Sequence, residues 1–467
     1  MSTTPASPPA SAGRDGTERE FHVHELFFST TDHRGVILSG NDVFRRVSGY
    51  AEDELIGRPH SIVRHPDMPR VVFRTLWDTI EAGDPIAAYV KNRAQTGQHY
   101  WVVATVFPVP DGYLSIRFRP STPLHATVEG LYGRLRAAER EVEDAGGGKR
   151  EAAEASAALL VQALAGLGIP DYAAFQRAML PAEVAARQRI IAERGLPAPD
   201  AGGLGGEHAV LHGDLWRLRE WLGGLLLRLD AFGALGAQLS ERSDQVTGMA
   251  DGVSMLALNG VIAAQRHGAS GGVLGTVARL LRDRAHAAAS ATDALRGAIA
   301  LARDRLAMLA YHIAVARLQA DMAVVALAEI ARGGAGIARD RRTLGHDVAA
   351  LAGCLGAAVG HLLDGIDEVE SGIRDMRRHV AGLQMALAPL SSLGTQGRIE
   401  AARELGVGDF GLVFEQVRAA TDQGGGHVAD LDRVVRAVHV RGDLRLQEQA
   451  RESAEAVVAG AQALLVR

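Results

Sequence analysis

The chain has a single cysteine, Cys354, in 467 residues. No intrachain disulfide can form, so a reducing compartment is compatible and stability has to come from packing. Between Leu351 and Leu355, the thiol sits where Cys packs as a small hydrophobe in a helix. Aromatic residues are scarce, at 5%, while glycine is abundant, at 54 residues. That composition suits long, closely packed helices better than a large mixed sheet. Neither sign of charge dominates: a formal net charge of −5 points to no nucleic-acid or anionic-membrane partner. No run reaches the ~18 uncharged apolar residues of a membrane span. The nearest, Ile313–Ala331, is broken by Arg317, Asp321 and Glu329. The opening MSTTPASPPASAGRDGTERE has no apolar core, so it is no secretory signal and residues 1–20 read as a disordered tail. Phosphate-binding loops, nucleophile elbows and the patterns of histidine kinases are missing too. The expectation is a soluble, cytoplasmic protein that is not an enzyme.

What is present centres on Gly57–Arg70, GRPHSIVRHPDMPR. Ionisable side chains and rigid proline backbone concentrated in one loop are what the wall of a small-molecule pocket looks like. A solvated, Pro-stiffened loop is the alternative. Upstream, Phe27–Thr31 and Gly35–Ser39 read as a hairpin, and Asn41 or Asp42 caps a helix carrying Val43, Phe44 and Val47. Downstream, Val71–Ala82 reads as a helix with Val72, Phe73, Leu76 and Ile80 on one face. Strands follow at Ile86–Asn92, His99–Phe107 and Tyr113–Arg119, joined by Gly-containing turns. This order predicts an α+β domain over residues 21–122, a five-stranded antiparallel sheet with helices cupped over one face.

Strand signals stop near Thr127. Residues 123–206 read as a helical connector, interrupted at Gly146-Gly147-Gly148, with short helices among the prolines that follow. Residues 207–467 change to long helices. Apolar residues from Leu355 to Leu390 alternate steps of four and three, the seam of a left-handed coiled coil, and Leu239, Val246, Met249, Val253 and Leu256 follow the same rule. Pro389 should kink or interrupt its helix. The segments Leu256–Ala285 and Leu393–Asp422 repeat one plan, with breaks near Gly271 and Gly408 and a stronger one at Arg332–Gly336. Four arms of roughly 60 residues result, two tandem hairpins (207–335 and 340–467) forming an all-α, long antiparallel four-helix coiled-coil bundle.

Residues Phe27–Arg119 resemble the PAS domain of bacterial aerotaxis receptors. The motifs that carry the resemblance are STTD at Ser29–Asp32, Asn41-Asp42, VSGY at Val47–Tyr50, PHSIVRHPDMP at Pro59–Pro69, Trp77, VKNR at Val90–Arg93 and HYWV at His99–Val102. The resemblance implies FAD as cofactor and redox or oxygen as signal. It gives Asn41, His60, Arg64, His65, Asp67, Phe73, Trp77 and Asn92 as cofactor-binding candidates. Phe73 and Trp77 would wall the ring, Asn41 and Asn92 would offer amides, and Arg64 and His65 would meet phosphate, oriented by Asp67. Core, cap and turn roles are the alternatives for these residues. Ile86 stands where that family has a Trp. A haem held by His60 or His65, or an empty pocket, stays open.

The two hairpins resemble, as a degenerate duplicate, the signalling tip of methyl-accepting chemotaxis proteins, through Leu256–Asn259 with Arg266 and through Ile399–Arg403 with Phe410, Glu415, Val417 and Arg418. The resemblance implies a chemotaxis histidine kinase, its coupling protein or other chemoreceptors as partners, contacted by Glu400, Arg403, Phe410, Glu415 and Arg418. A solvated helix surface is the alternative for these five. The function implied is a cytoplasmic sensor for aerotaxis or energy taxis. A scaffold without kinase control and a haem gas sensor are the other readings, and a homodimer stays open.

Overall fold

Asp32 sets the first turn. Its carboxylate accepts from the backbone N–H of Arg34 at 2.9 Å and of Val36 at 2.8 Å. Gly35, at φ +75, supplies the left-handed backbone that closes the turn. The computed structural model describes residues 16–196, 206–266, 272–331, 341–403, 408–437 and 444–463. Strands β1 (Phe27–Thr31) and β2 (Ile37–Gly40) flank this turn. Then come helices α1 (Asp42–Ser48) and α2 (Glu52–Leu55), a 3-10 turn over His60–Val63, helix α3 (Arg70–Glu81), and strands β3 (Ile86–Arg93), β4 (His99–Val109) and β5 (Gly112–Phe118). The strands form one antiparallel sheet in the order β2-β1-β5-β4-β3, as the element order predicted.

The domain's own helices cover one face as predicted, and helices beyond residue 122 cover the other. Every residue of β5 is buried, the mark of a strand with no solvent face. Helices α1 and α3 cover the inner face. Helices α4 (Leu124–Asp144) and α6 (Tyr172–Glu193) cover the outer one, and α5 (Lys149–Gly166) packs on α3 and α4. On the outer face, the Tyr89 hydroxyl donates to Glu183 of α6 at 2.6 Å, and Trp101 packs edge-on to His125 and tilted against Tyr132 of α4. The tail also ends sooner than predicted. Arg19 N–H donates to His99 O at 2.7 Å and His99 N–H to Thr17 O at 3.1 Å, so residues 17–19 continue the sheet.

Helix α6 corrects the expectation of short helices after Gly166. It runs 22 residues through Pro181. Burial of Phe175, Met179, Leu180 and Val184 outweighs the hydrogen bond that proline removes. The same helix seals the edge of β3: Gln176 accepts from Ala87 N–H at 2.9 Å and the Tyr172 hydroxyl donates to Ala87 O at 3.1 Å. Tyr132 of α4 caps Tyr89 O at 3.1 Å, and His65 N–H meets Lys91 O at 3.3 Å.

The remaining helices are α7 (Gly206–Arg266), α8 (Gly272–Ala331), α9 (Arg341–Arg403), α10 (Gly408–Ala437) and α11 (Leu444–Ala463). The described parts of the fourth predicted arm are α10 and α11. The predicted breaks at Gly271 and Arg332–Gly336 lie outside the described residues. Pro389 does not interrupt α9. The carbonyl it leaves unpaired belongs to Met385, which is 72% exposed, so water can satisfy it.

The chain divides into two compact units, one of Met1–Leu226, Ala310–His361 and Arg445–Arg467, the other of Leu227–Leu309 and Leu362–Leu444. In the second unit each helix meets the next around a closed ring. Asp244 of α7 pairs with Arg296 of α8, Arg305 of α8 donates to Glu368 O of α9, Arg377 of α9 to Val435 O of α10, and Arg242 of α7 meets His427 of α10. This is a four-helix bundle. Its seam on α9 is as the heptads predicted: Ile366, Val369, Ile373, Met376, Val380, Leu383, Leu387 and Leu390 are all buried. On α7 the seam differs. Leu239, Val246 and Val253 are buried, but the positions between are Ser243, Ala250 and Ala257, with Met249 and Leu256 at the flank. Small residues there bring helices close: a Cβ on Gly424 of α10 would strike Met249. The stretch Gly345–Arg403 is apolar enough by length and composition to cross a membrane, with a window of mean hydropathy 1.5 that is 44% buried.

In the first unit, α6 and the segment before β1 meet the long helices directly. Arg187 of α6 donates to Val23 O at 3.0 Å, to His24 O at 2.9 Å and to Asp321 of α8 at 2.9 Å. Tyr311 of α8 donates to Pro85 O at 3.3 Å, and Ser39 of β2 donates to the buried carboxylate of Asp347 on α9 at 2.9 Å.

Candidate functional site

Strand register decides which side chains share the inner face. Ser29 lies opposite Ser115, Phe27 opposite Arg117, Ala104 opposite Arg117, and Asn92 opposite Tyr100. Side chains alternate faces, so Ser29, Ser115, Arg117, Tyr100 and Asn92 all point to the side covered by α1 and α3. Arg117 is 6% exposed on a central strand. Its Nη2 donates to Ser29 Oγ at 3.1 Å and to His60 Nε2 at 2.6 Å, and its guanidinium lies 5.5 Å from the centre of the Phe44 ring. Among the described residues no carboxylate pairs with it. Burial pushes its pKa down to about 10.

His60, one of the candidates of the loop, lies beside Arg117 on the inner face. It stacks on Phe44 at 5.6 Å with the rings nearly parallel. Burial, then the charge of Arg117, holds its pKa well below the ordinary value. The ring is therefore neutral, accepts on Nε2 and carries its proton on Nδ1.

The other candidates divide. Asn41 is a cap: Oδ1 accepts from Phe28 N–H at 3.0 Å and Phe44 N–H at 3.1 Å, and Nδ2 donates to Leu26 O at 2.8 Å. With three of its four hydrogen bonds used inside the chain, little of the amide is left for a ligand. Arg64 lies over Phe73 at 3.6 Å, and its backbone bridges to Asn92, which places the loop against β3. His65 and Asp67 turn to the sheet edge. His65 Nδ1 accepts from Asp67 N–H at 3.1 Å, while the Asp67 carboxylate meets Arg140 of α4 at 2.9 Å and Lys91 at 3.5 Å. Asp67 thus ties the loop to α4 rather than orienting Arg64. Trp77 packs edge-on to Tyr113 at 5.6 Å, beside Ile80, Ile86 and Val106. Ile86 is core here, 1% exposed.

Sequence reasoning missed Arg117, Tyr100 and Ser115. The signal was present: in GYLSIRF, Ser115 and Arg117 alternate with Leu114, Ile116 and Phe118. The Arg117 Nη1, the Tyr100 hydroxyl and the Ser115 hydroxyl are buried without a hydrogen-bond partner. Native proteins rarely leave such atoms unmatched. A flavin ring edge, with carbonyl acceptors and ring nitrogens, has the groups these atoms lack, so the residues present fit a flavin. For haem, the Nε2 lone pair of His60 is already taken by Arg117 and the Nδ1 lone pair of His65 by Asp67 N–H.

A second polar centre was also missed. Asp321 accepts from Arg187 at 2.9 Å, Arg219 at 2.7 Å and Arg317 at 3.2 Å, and all four side chains are largely buried. Burial works to raise the carboxyl pKa, but Arg317, Arg187 and Arg219 hold it down at about 2. Charges inside the apolar run of α8 were its sequence signal.

At the far end of α9, Glu400 and Arg403 pair at 3.1 Å on the surface, and on α10 Arg418 meets Asp422 at 3.5 Å while Glu415 is exposed. The side chain of Phe410 lies outside the described residues. Along the same helices Met255, Leu258 and Ile262 of α7, Ile399 of α9 and Leu412 of α10 are exposed.

Residues 37–115 match the family described as PAS fold, and the N-terminal domain is a PAS domain. The chain is 46% identical over 114 residues to the "Aerotaxis receptor" of Escherichia coli, covering 23% of this chain and 22% of that protein. It is 29% identical over 82 residues to "Biofilm dispersion protein BdlA" of Pseudomonas aeruginosa, covering 17% and 20%. The chain thus matches about a fifth of the length of these curated relatives. A light-state structure of the blue-light photoreceptor Aureochrome1 LOV is similar at 16% identity with a TM-score of 0.20, covering 22% of this chain and 87% of that one.

Proposed function

We propose that this chain is a cytoplasmic signal-transduction sensor whose PAS domain binds FAD, responds to redox or oxygen status, and signals in taxis through its helical region to a chemotaxis histidine kinase and coupling protein. The observation that carries the reading is the set of partnerless polar atoms around Arg117 on the inner face. Similarity of the PAS region to an aerotaxis receptor and to a biofilm dispersion protein supports the sensor class.

A bound flavin would supply reversible uptake of electrons and protons. Arg117, Tyr100 and Asn92 would hold its polar ring edge, Phe73 and Trp77 its flank, and Arg64 its phosphates. The chain's own residues then offer a short route outward. On β1, Ser29 faces inward and accepts from Arg117, while its neighbour Thr30 faces outward, with its hydroxyl 2.6 Å from Ser39 Oγ. Ser39 in turn donates to Asp347 of α9. A shift of the Arg117 guanidinium would move β1, and β1 bears on the helix through Thr30 and Ser39. Packed elements answer such shifts by switching between discrete arrangements.

An absorbance spectrum of the full chain, before and after dithionite, tests the reading. Bands near ~450 nm that bleach on reduction are expected for bound flavin. A Soret band would replace flavin with haem. A featureless spectrum after incubation with FAD would overturn the cofactor reading and leave a PAS domain that acts by protein contacts.

A further inference from the structure

We propose that Arg117 is the ligand-anchoring residue on the inner face of the sheet, donating from Nη1 to a carbonyl oxygen of a buried planar ring whose edge alternates carbonyls and ring nitrogens. This rests on the flavin reading above and names the residue that grips the cofactor, one outside the motifs that suggested a flavin.

The argument begins with placement. Arg117 stands on β5, the middle strand of five, and is 6% exposed. A guanidinium in that position loses its water, and among the described residues it gains no carboxylate in return. Buried charges persist when they are paired and hydrogen-bonded. Here the pairing is half made. Nη2 is fixed by Ser29 and by the neutral His60, and the Phe44 ring lies beneath the cation. Those contacts hold the guanidinium plane and leave Nη1 without a partner.

The second observation is what surrounds it. Ser115 lies two residues away on the same strand face, and Tyr100 lies on the same face of β4, opposite Asn92. Both hydroxyls are buried and partnerless. A guanidinium donor, two hydroxyls and a neighbouring amide on one sheet face form an array that can both donate and accept. A single anion would use only the donors. A ring edge that presents acceptors beside N–H groups would use all of them. A cation at that edge also favours the electron-rich reduced ring over the oxidised one.

The test uses the full chain with Arg117→Met and Arg117→Lys. Flavin per chain, the affinity of the stripped protein for added FAD, the midpoint potential of bound flavin and the thermal midpoint of the stripped protein are measured. Arg117→Met is expected to weaken FAD binding roughly 10- to 100-fold, the loss of a charge-assisted hydrogen bond, and to lower the midpoint potential of the flavin that remains. The same substitution is expected to raise the thermal midpoint of the stripped protein, because an apolar side chain of similar length removes an unpaired buried charge. A purely structural arginine would move the thermal midpoint the other way. Arg117→Lys keeps the charge but not the fork, so binding falls between the two. If wild type holds flavin and Arg117→Met holds it with equal affinity and potential, the proposal is overturned alone. If wild type takes up no flavin, the flavin reading fails first and the proposal with it.

Discussion

Arg187 of α6 and Asp321 of α8 meet at 2.9 Å with both side chains buried, and the same arginine holds the backbone carbonyls of Val23 and His24. One guanidinium thus joins the segment before the sheet, the helix on its outer face and a long helix. Asp321→Asn would leave Arg187, Arg219 and Arg317 without their shared anion. The expected cost is about 3–5 kcal/mol, against less than about 1 kcal/mol for Asp432→Asn, which breaks only the exposed pair with Arg436. Urea unfolding of the full chain reads both. Equal midpoints would show that the buried cluster contributes no more than a surface pair.

Acid should find the same carboxyl. Its folded pKa, about 2, lies below the ordinary 3.8. Its contribution is therefore present above pH 3.8 and is lost as pH falls toward 2. In Asp321→Asn that part of the acid transition is expected to vanish, as followed by circular dichroism from pH 5 downward.

His60 acts in a higher range. Its folded pKa is lowered from 6.5, by burial and then by Arg117 and Arg64. The neutral form is the folded one, so its contribution is complete above pH 6.5 and declines as pH falls through the folded pKa. His24, His65, His125 and His312 are lowered too. His60→Gln is expected to reduce the slope of stability against pH below 6.5 by up to about 1.4 kcal/mol per pH unit, one proton's worth. An unchanged slope would mean that His60 is not buried neutral.

Helix approach in the second unit can be probed at Gly397. A Cβ there would strike three carbons of the buried Phe414 ring. Gly397→Ala is expected to destabilise by about 1–3 kcal/mol through overpacking, although alanine is the better helix former. Thermal melting compared with Gly411→Ala, where the added methyl meets open space, separates crowding from propensity.

Glu400 and Arg403 form an exposed pair one turn apart, worth no more than about 0.5 kcal/mol to the fold. Replacing both by alanine is expected to leave the melting temperature within about 2 °C while weakening pull-down of a chemotaxis kinase and coupling protein. Retained capture with an unchanged melt would move the contact elsewhere, for instance to exposed Ile399 and Leu412.

The sheet was legible because its turns are written locally. Asp32 with Gly35, Gly97 and Gly112 fix the hairpins, Asn41 announces α1, and strand limits fall within about two residues of those predicted. The α9 seam was legible for a similar reason, since apolar residues mark every step. On α7 the seam passes through Ser243, Ala250 and Ala257, which no apolar pattern singles out. Pro181 suggested a helix end because the burial that carries α6 through it comes from distant strands. Ser39 and Asp347 are 308 residues apart, and nothing near either one names the other. Arg117 is illegible for the opposite reason, since it stands as a lone cation among apolar residues of β5 while Arg64 lies in a dense motif.

The cover over β3 has a consequence for any attempt to study the sensor alone. Gln176, Tyr172 and Tyr132 lie beyond residue 122, and together they occupy the outward N–H of Ala87 and the outward carbonyls of Ala87 and Tyr89. A fragment ending at Thr122 would bare that row of groups on a strand rich in apolar side chains, a template for pairing with its own kind. Such a fragment would stack edge to edge as its concentration rises. An oligomer observed with it would report the cut, and not the native assembly.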